Sequence, residues 1–210
     1  MIALAGRPIL EHNVRMLVRY GVTELVINLH HRGETIRAHF GDGSAFGAAI
    51  SYSHETELLG TAGALNAVRA RFDAPFFLIY GDNASTIDLR RMSQHHRAGD
   101  LCTIAAYERD DVSQSGALSI DADDRITAFA EKPERKTAGW VNAGVMYFEP
   151  AIFAFVPKAG PSDFGRDVLP VAIDNGATLR AYRMTEKLWW IDSLADYERT
   201  IRDSDLCALS

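Results

Sequence analysis

Short apolar runs that alternate with segments of helical spacing constrain this chain most, because that alternation is the pattern of an α/β sheet. FFLIYGDN (76–83) is the clearest case: five apolar residues lead straight into Gly-Asp-Asn, which predicts a buried strand. ELVINL (24–29), AAISYSHE (48–55), LCTIAAYE (101–108), GALSID (116–121) and ITAFAEKP (126–133) read as further strands. VNAGVMYFEP (141–150), LRAYRM (179–184) and LWWID (188–192) complete the set. Helices are expected over 9–20, with Gly21 as C-cap, over 33–43, ended by glycines, and over 61–72. Shorter ones are expected in AIFAFVP (151–157), DFGRDVLPVAIDNG (163–176) and LADYERTIRD (194–203). The expected architecture is α/β, a Rossmann-like, mostly parallel or mixed sheet flanked by helices, in a single domain over 1–210.

Composition narrows the function. Hydrophobic residues at 47% and charged residues at 24% are ordinary for a soluble globular chain. No apolar run approaches the ~20 residues of a membrane helix, and the first residues lack the character of a signal peptide, so no membrane partner and a cytoplasmic location are expected. A net charge of -6 argues against nonspecific binding to nucleic acid, but not against small phosphorylated ligands. Cys102 and Cys207 form no metal motif; Cys102, in an apolar run, reads as a buried inert thiol. His30-His31 and His95-His96 lack the spacing of a helical metal pair and read as solvated. Trp189-Trp190 reads as core and rim packing.

The chemistry-bearing residues cluster at strand ends, where open α/β sheets collect ligands. Asp82 follows FFLIYG and Asp192 follows LWWI. Such carboxylates suit a hard divalent cation, since Mg²⁺ takes one or two carboxylates plus phosphate oxygens; either alone could equally cap the next element. Glu131-Lys132-Pro133 closes another strand, placing a cation for phosphate beside an acceptor for sugar hydroxyls. Gly60-Thr61-Ala62-Gly63 opens a helix with small residues and N–H groups free for a ligand, or simply uses Thr61 as a cap.

Taken in order, GRPILEHNVRML, DGSAFGAAISYSHETELLGTAGAL, YGDN, SGALSID, FAEKP, VNAGVMYFEP and WWIDSLADYE resemble the sugar-1-phosphate nucleotidyltransferases over essentially the whole chain. The wording LGTAGAL is most like the mannose- and heptose-1-phosphate guanylyltransferases. The resemblance implies that a sugar 1-phosphate attacks the α-phosphate of an NTP, GTP by preference, giving a nucleotide-sugar and pyrophosphate. It makes Asp82 and Asp192 the Mg²⁺ ligands and, with Lys132, the catalytic set. Glu55, Leu59 and Gly60, with Asp82, match the nucleotide-binding positions. Gly116, Glu131, Lys132, Asn142 and Gly144 match those that hold the sugar phosphate. A homo-oligomer is left open.

The chain departs from the family at two places. Ser193-Leu194 stands after Asp192 where the family carries Gly-Thr. A first strand, a glycine-rich phosphate loop with an arginine, and a Lys-Pro pair normally precede GRPILEH, and none is present. MIALAG is either that strand with the loop cut out or the segment directly after Lys-Pro, the latter being favoured. On that reading the strand's neighbours are left unpaired, the chain folds poorly and its activity is impaired. A non-catalytic paralogue that binds sugar phosphate or nucleotide-sugar, or regulates a full-length partner, is the alternative. A glycosyltransferase would prefer Asp-x-Asp after a strand and ranks last.

Overall fold

The computed structural model describes residues 1–134 and 136–209. In chain order the elements begin with β1 (Ala3–Leu4), β2 (Arg7–Pro8), α1 (Ile9–Arg19), β3 (Glu24–Leu29), α2 (Gly33–Phe40) and β4 (Ala49–His54). Next come α3 (Gly60–Gly63), a 3-10 stretch (Ala64–Arg71), β5 (Phe76–Ile79), β6 (Asn83–Ser85) and α4 (Leu89–His95). The strands β7 (Asp100–Arg109), β8 (Gly116–Ile120), β9 (Ile126–Glu131) and β10 (Gly139–Phe148) follow. The chain ends with α5 (Leu169–Asp174), β11 (Thr178–Arg183), β12 (Leu188–Trp190), α6 (Leu194–Thr200) and a 3-10 tail (Ser204–Leu209). They form two compact units, one of Met1–Thr56, Tyr80–Leu89 and Glu186–Ser210, the other of Glu57–Ile79 and Arg90–Thr185.

In the first unit, β3 and β4 pair in parallel along six residues. Their apolar positions close with α1 and α2 over Val14, Leu25, Ile27, Leu29, Phe40 and Ile50. Among the described residues β3 has a strand partner on this one side alone. Ala3–Leu4 joins no larger sheet; it turns back on Arg7–Pro8 through Ala5 and Gly6, both at positive φ, as a tight hairpin turn requires. A second antiparallel ribbon pairs β12 with β6, Trp190 opposite Asn83. Leu4, Ile9, Ala84 and Trp189 form its core, with Leu206 and Leu209 of the tail packed against it.

The second unit carries a six-stranded mixed sheet in the order β11-β7-β10-β8-β9, with β5 also on β10. Pairing is parallel between β11 and β7 and antiparallel elsewhere. Its core is aromatic and aliphatic: Phe148 and Phe164 stack at 4.9 Å, and Ile104, Met146, Ile152, Leu169 and Leu179 are fully buried. α5 lies against β9 and β11. The helix expected over 61–72 is a single α turn continued as 3-10. β6, α4 and the tail helix are elements that the apolar pattern did not announce.

Candidate active site

In the first unit the β6–β12 ribbon collects two carboxylates at one end. Asp82 immediately precedes β6, and Asp192 comes two residues after the end of β12, whose Trp190 pairs with Asn83. Antiparallel pairing therefore carries both to the same rim. Asp82 has a raised pKa, first from desolvation and also from the Asp192 charge, against a lowering from its own backbone N–H. Its side chain is nonetheless exposed at the rim, so neighbouring protein atoms displace only part of its water, and the Asp192 charge adds a smaller upward push. Asn13 fixes the strand end: its amide donates to the carbonyls of Tyr80 at 3.3 Å and Asn83 at 2.9 Å. Asn13 is buried on α1, in register with Ile9 and Met16 at helical spacing. A polar residue on the apolar stripe was the signal, and the sequence reading passed over it.

Ser193, where the family carries glycine, caps α6 by accepting from the Asp196 N–H at 3.1 Å. The departure thus stabilises the turn that follows Asp192. Glu55, past the end of β4, is buried. Its N–H donates to Leu29, its carbonyl accepts from His30 Nδ1 at 3.1 Å, and its Oε1 is buried without a donor.

In the second unit, β10 forks. Trp140 and Val141 pair with β8, Val145 to Phe148 pair with β5, and the register against β7 slips between Asn142 and Met146. Asn142 and Gly144 occupy that bulge: Asn142 Oδ1 accepts from the Gly144 N–H at 2.9 Å, and Gly144 has φ +77. A bulge re-aims side chains and is frequent beside active sites. Across the β8–β9 hairpin Gly116 pairs with Glu131. Lys132 follows, exposed, in the left-handed region at φ +49 and tied through its N–H to Ser115. A lysine held there stores backbone strain of the kind found at binding sites.

Leu59 and Gly60 sit on a loop clamped by 160–164. Leu59 accepts from the Ser162 N–H, and a Cβ on Gly60 would lie 2.5 Å from the Ser162 carbonyl. The N–H groups expected to be free for a ligand are engaged: Thr61 donates to Asp163 Oδ1, and Ala62 and Gly63 donate to Ser162 O. The 160–164 segment satisfies the helix start that the sequence reading left open to a substrate. Asp163 carried no recognisable motif and was missed for that reason.

Other expectations resolve simply. Cys102 is fully buried and burial pushes its thiol pKa up, so it is inert. Trp189 is buried with its indole N–H on Asp203 at 2.9 Å, and Trp190 takes Arg199 over its ring. His95 and His96 are not simply solvated: His95 reaches the Ala181 carbonyl at 3.0 Å, and His96 meets Thr103 at 2.9 Å, because the end of α4 packs on the sheet. Among the described residues no three His, Cys, Asp or Glu side chains gather as a metal site. The pair Asp82 and Asp192 fits a divalent ion only with substrate oxygens completing its shell, and relief of their repulsion is what such an ion supplies.

The class this defines is explicit in the comparisons. The sequence model of the nucleotidyl transferase family matches residues 1–197, and the chain belongs to that family. It is 30% identical to a UTP--glucose-1-phosphate uridylyltransferase of Synechocystis, over 96% of this chain and 56% of the relative. It is 28% identical to a mannose-1-phosphate guanylyltransferase of Mycobacterium tuberculosis, over 91% and 54%. The chain thus spans just over half the length of these relatives. Among solved structures, HddC from Yersinia pseudotuberculosis complexed with GMP-PN aligns at TM-score 0.80 with 24% identity, covering 96% of this chain and 87% of that one. A putative glucose-1-phosphate thymidylyltransferase from Bacillus anthracis aligns at TM-score 0.85 with 19% identity, covering 95% and 83%. These two likenesses concern the fold.

Proposed function

We propose that the chain transfers a nucleotidyl group from an NTP to a sugar 1-phosphate. A phosphate oxygen of the sugar attacks the α-phosphorus, the bond to the β-phosphate breaks, and pyrophosphate leaves. The observation that carries this reading is the pair Asp82 and Asp192, two carboxylates drawn to one strand end despite their repulsion. Asp82 and Asp192 are the residues that would hold Mg²⁺, and the ion would supply neutralisation of the charge that develops on the phosphates. The protein's own share is positioning and charge complementarity. Lys132 offers a cation to the sugar phosphate, Glu131 accepts from sugar hydroxyls, and Asn142, Gly144 and Gly116 shape that subsite. Leu59 and Gly60, on the loop clamped by 160–164, stand at the positions that the resemblance gives to the nucleotide.

GTP is the favoured nucleotide, with a mannose- or heptose-type sugar phosphate. Glu55 stands where the resemblance puts the nucleobase, and a carboxylate there discriminates because the guanine edge offers it N1–H and N2–H where uracil offers one N–H. A uridylyl relative among the similar proteins keeps UTP as the competitor to test. Use of a free NTP fits the cytoplasm, and among the described residues no helix is long and apolar enough to cross a membrane.

The test is pyrophosphate release by the purified chain with Mg²⁺, with GTP or UTP against mannose, heptose or glucose 1-phosphate. The expected result is slow Mg²⁺-dependent release, fastest with GTP, that falls at least about a hundredfold in both Asp82→Asn and Asp192→Asn. Release indifferent to chelation or to both substitutions would overturn the reading.

A further inference from the structure

Glu131 is held in a notch between two glycines. A Cβ built on Gly116 would lie 3.1 Å from Glu131 Oε2, and one built on Gly165 would lie 2.5 Å from the same oxygen. Both would also meet the ring of Phe129, at 2.5 Å from Gly116 and 2.8 Å from Gly165. Phe129 and Glu131 share a face of β9, two residues apart, so ring and carboxylate fill one space. The Gly116 side of that space follows from the hairpin register. The Gly165 side comes from a different element.

Gly165 is the second residue of a π-helical turn, Phe164–Val168, which runs directly into α5. Its backbone is not in the left-handed region, so an alanine could adopt the same conformation. Glycine inside a helix is also the costlier residue there, by about 1 kcal/mol relative to alanine. Backbone geometry therefore does not require a glycine; the space beside Glu131 does. Isolated π turns are frequent at functional sites, and this one delivers its glycine to the carboxylate of a candidate substrate residue.

We propose that Gly165 is a positioning residue for the sugar-phosphate subsite: its missing side chain leaves the room in which Glu131 holds its carboxylate toward the sugar hydroxyls. The proposal rests on the nucleotidyltransferase reading above. Glu131 Oε2 is the far end of a flexible side chain and gives way readily to a methyl group at 165, while the buried Phe129 ring, 2.8 Å from that methyl, must shift as well, which the melting temperature reads.

The experiment is a ³¹P NMR titration of the full chain with mannose 1-phosphate, and with glucose 1-phosphate, alongside GTP binding and thermal melting of each variant. Gly165→Ala is expected to weaken sugar 1-phosphate binding about tenfold, the scale of one hydrogen bond to a charged group, with GTP affinity unchanged. In a Glu131→Asp background, where the shorter carboxylate is clear of the added methyl, Gly165→Ala is expected to cost less than twofold. Phe129→Leu, which frees the ring's space, is expected not to rescue Gly165→Ala. Undiminished binding in Gly165→Ala, an equal loss in both backgrounds, rescue by Phe129→Leu, or a parallel loss of GTP would each overturn the assignment. A wild-type chain that binds neither sugar phosphate would overturn the underlying reading, a result visible before any variant is made.

Discussion

Asp100 and Arg180 form the most buried ion pair of the second unit, with two contacts at 2.5 and 2.9 Å and side chains 3% and 4% exposed. Burial raises the Asp100 pKa, but the Arg180 guanidinium and the Arg97 N–H outweigh it and hold the carboxyl below its ordinary value. A depressed folded pKa means stability that is complete above the unfolded value of about 4 and is lost as pH falls through the folded one. Asp100→Asn leaves Arg180 without its anion and should cost about 3–5 kcal/mol; urea melts should also show a flatter acid limb, and an unchanged limb would refute the assignment. At the rim the sign reverses: Asp82 is raised, so Asp192→Asn should lower its titration midpoint in ¹³C carboxyl spectra, and an unmoved midpoint would mean the two are uncoupled. Asp82, Asp192, Glu131 and Lys132 were legible as candidates because each stands at or just past the end of an apolar run. Asn13 and Gly165 were not. Their roles lie in what they touch far along the chain, and nothing adjacent in sequence marks them.

Elements with their own hydrophobic signature were readable, and those specified by distant pairing were not. β3 falls on 24–29 as expected, and α1 begins at Ile9 as expected, because β-branched and amphipathic patterns are local. Asn-Ala-Ser carries no alternation, so β6 exists only because Leu188–Trp190 supplies its partner. The π turn before α5 reads locally as ordinary helix, and the fork in β10 follows from β8 and β5 dividing one of its edges while β7 takes the other. The tail is another such case. His12 on α1 faces the carbonyl of Leu4 at 2.8 Å and that of Leu209 at 3.2 Å, joining the β1–β2 hairpin to the 3-10 tail. His12→Ala strands those acceptors and opens a cavity, which should cost about 2 kcal/mol. Limited proteolysis should then cut the tail sooner than in the wild type, and equal cleavage rates would show that the tail is held by Leu206 and Leu209 alone.

At the scale of the whole molecule, the first unit is assembled from three separated segments and the second from two. Asp82 and Asp192 enter the first unit on different segments, so no local pattern could reveal that they share a rim; the β6–β12 register and the paired hydrogen bonds between Thr86 and Lys187, 101 residues apart, bring them there. A ligand that binds this rim binds the folded chain and not the unfolded one, and stabilises it by mass action. At about a hundredfold over its dissociation constant the gain is roughly 2.7 kcal/mol, which for a chain of this size corresponds to about 5–10 °C in melting temperature. GTP with Mg²⁺ should produce a shift of that order, and GTP with chelator a smaller one. The difference between the two belongs to the carboxylates, so the Asp82→Asn/Asp192→Asn double variant should lose the Mg²⁺-dependent part and keep the rest. Because that variant removes both like charges from the rim, its melting temperature without ligand should rise above the wild type's, the usual sign that a site holds repulsion for the sake of binding. A double variant that keeps the full Mg²⁺ response would place the metal elsewhere in the molecule, and one that melts lower would show that the two carboxylates do not destabilise the rim.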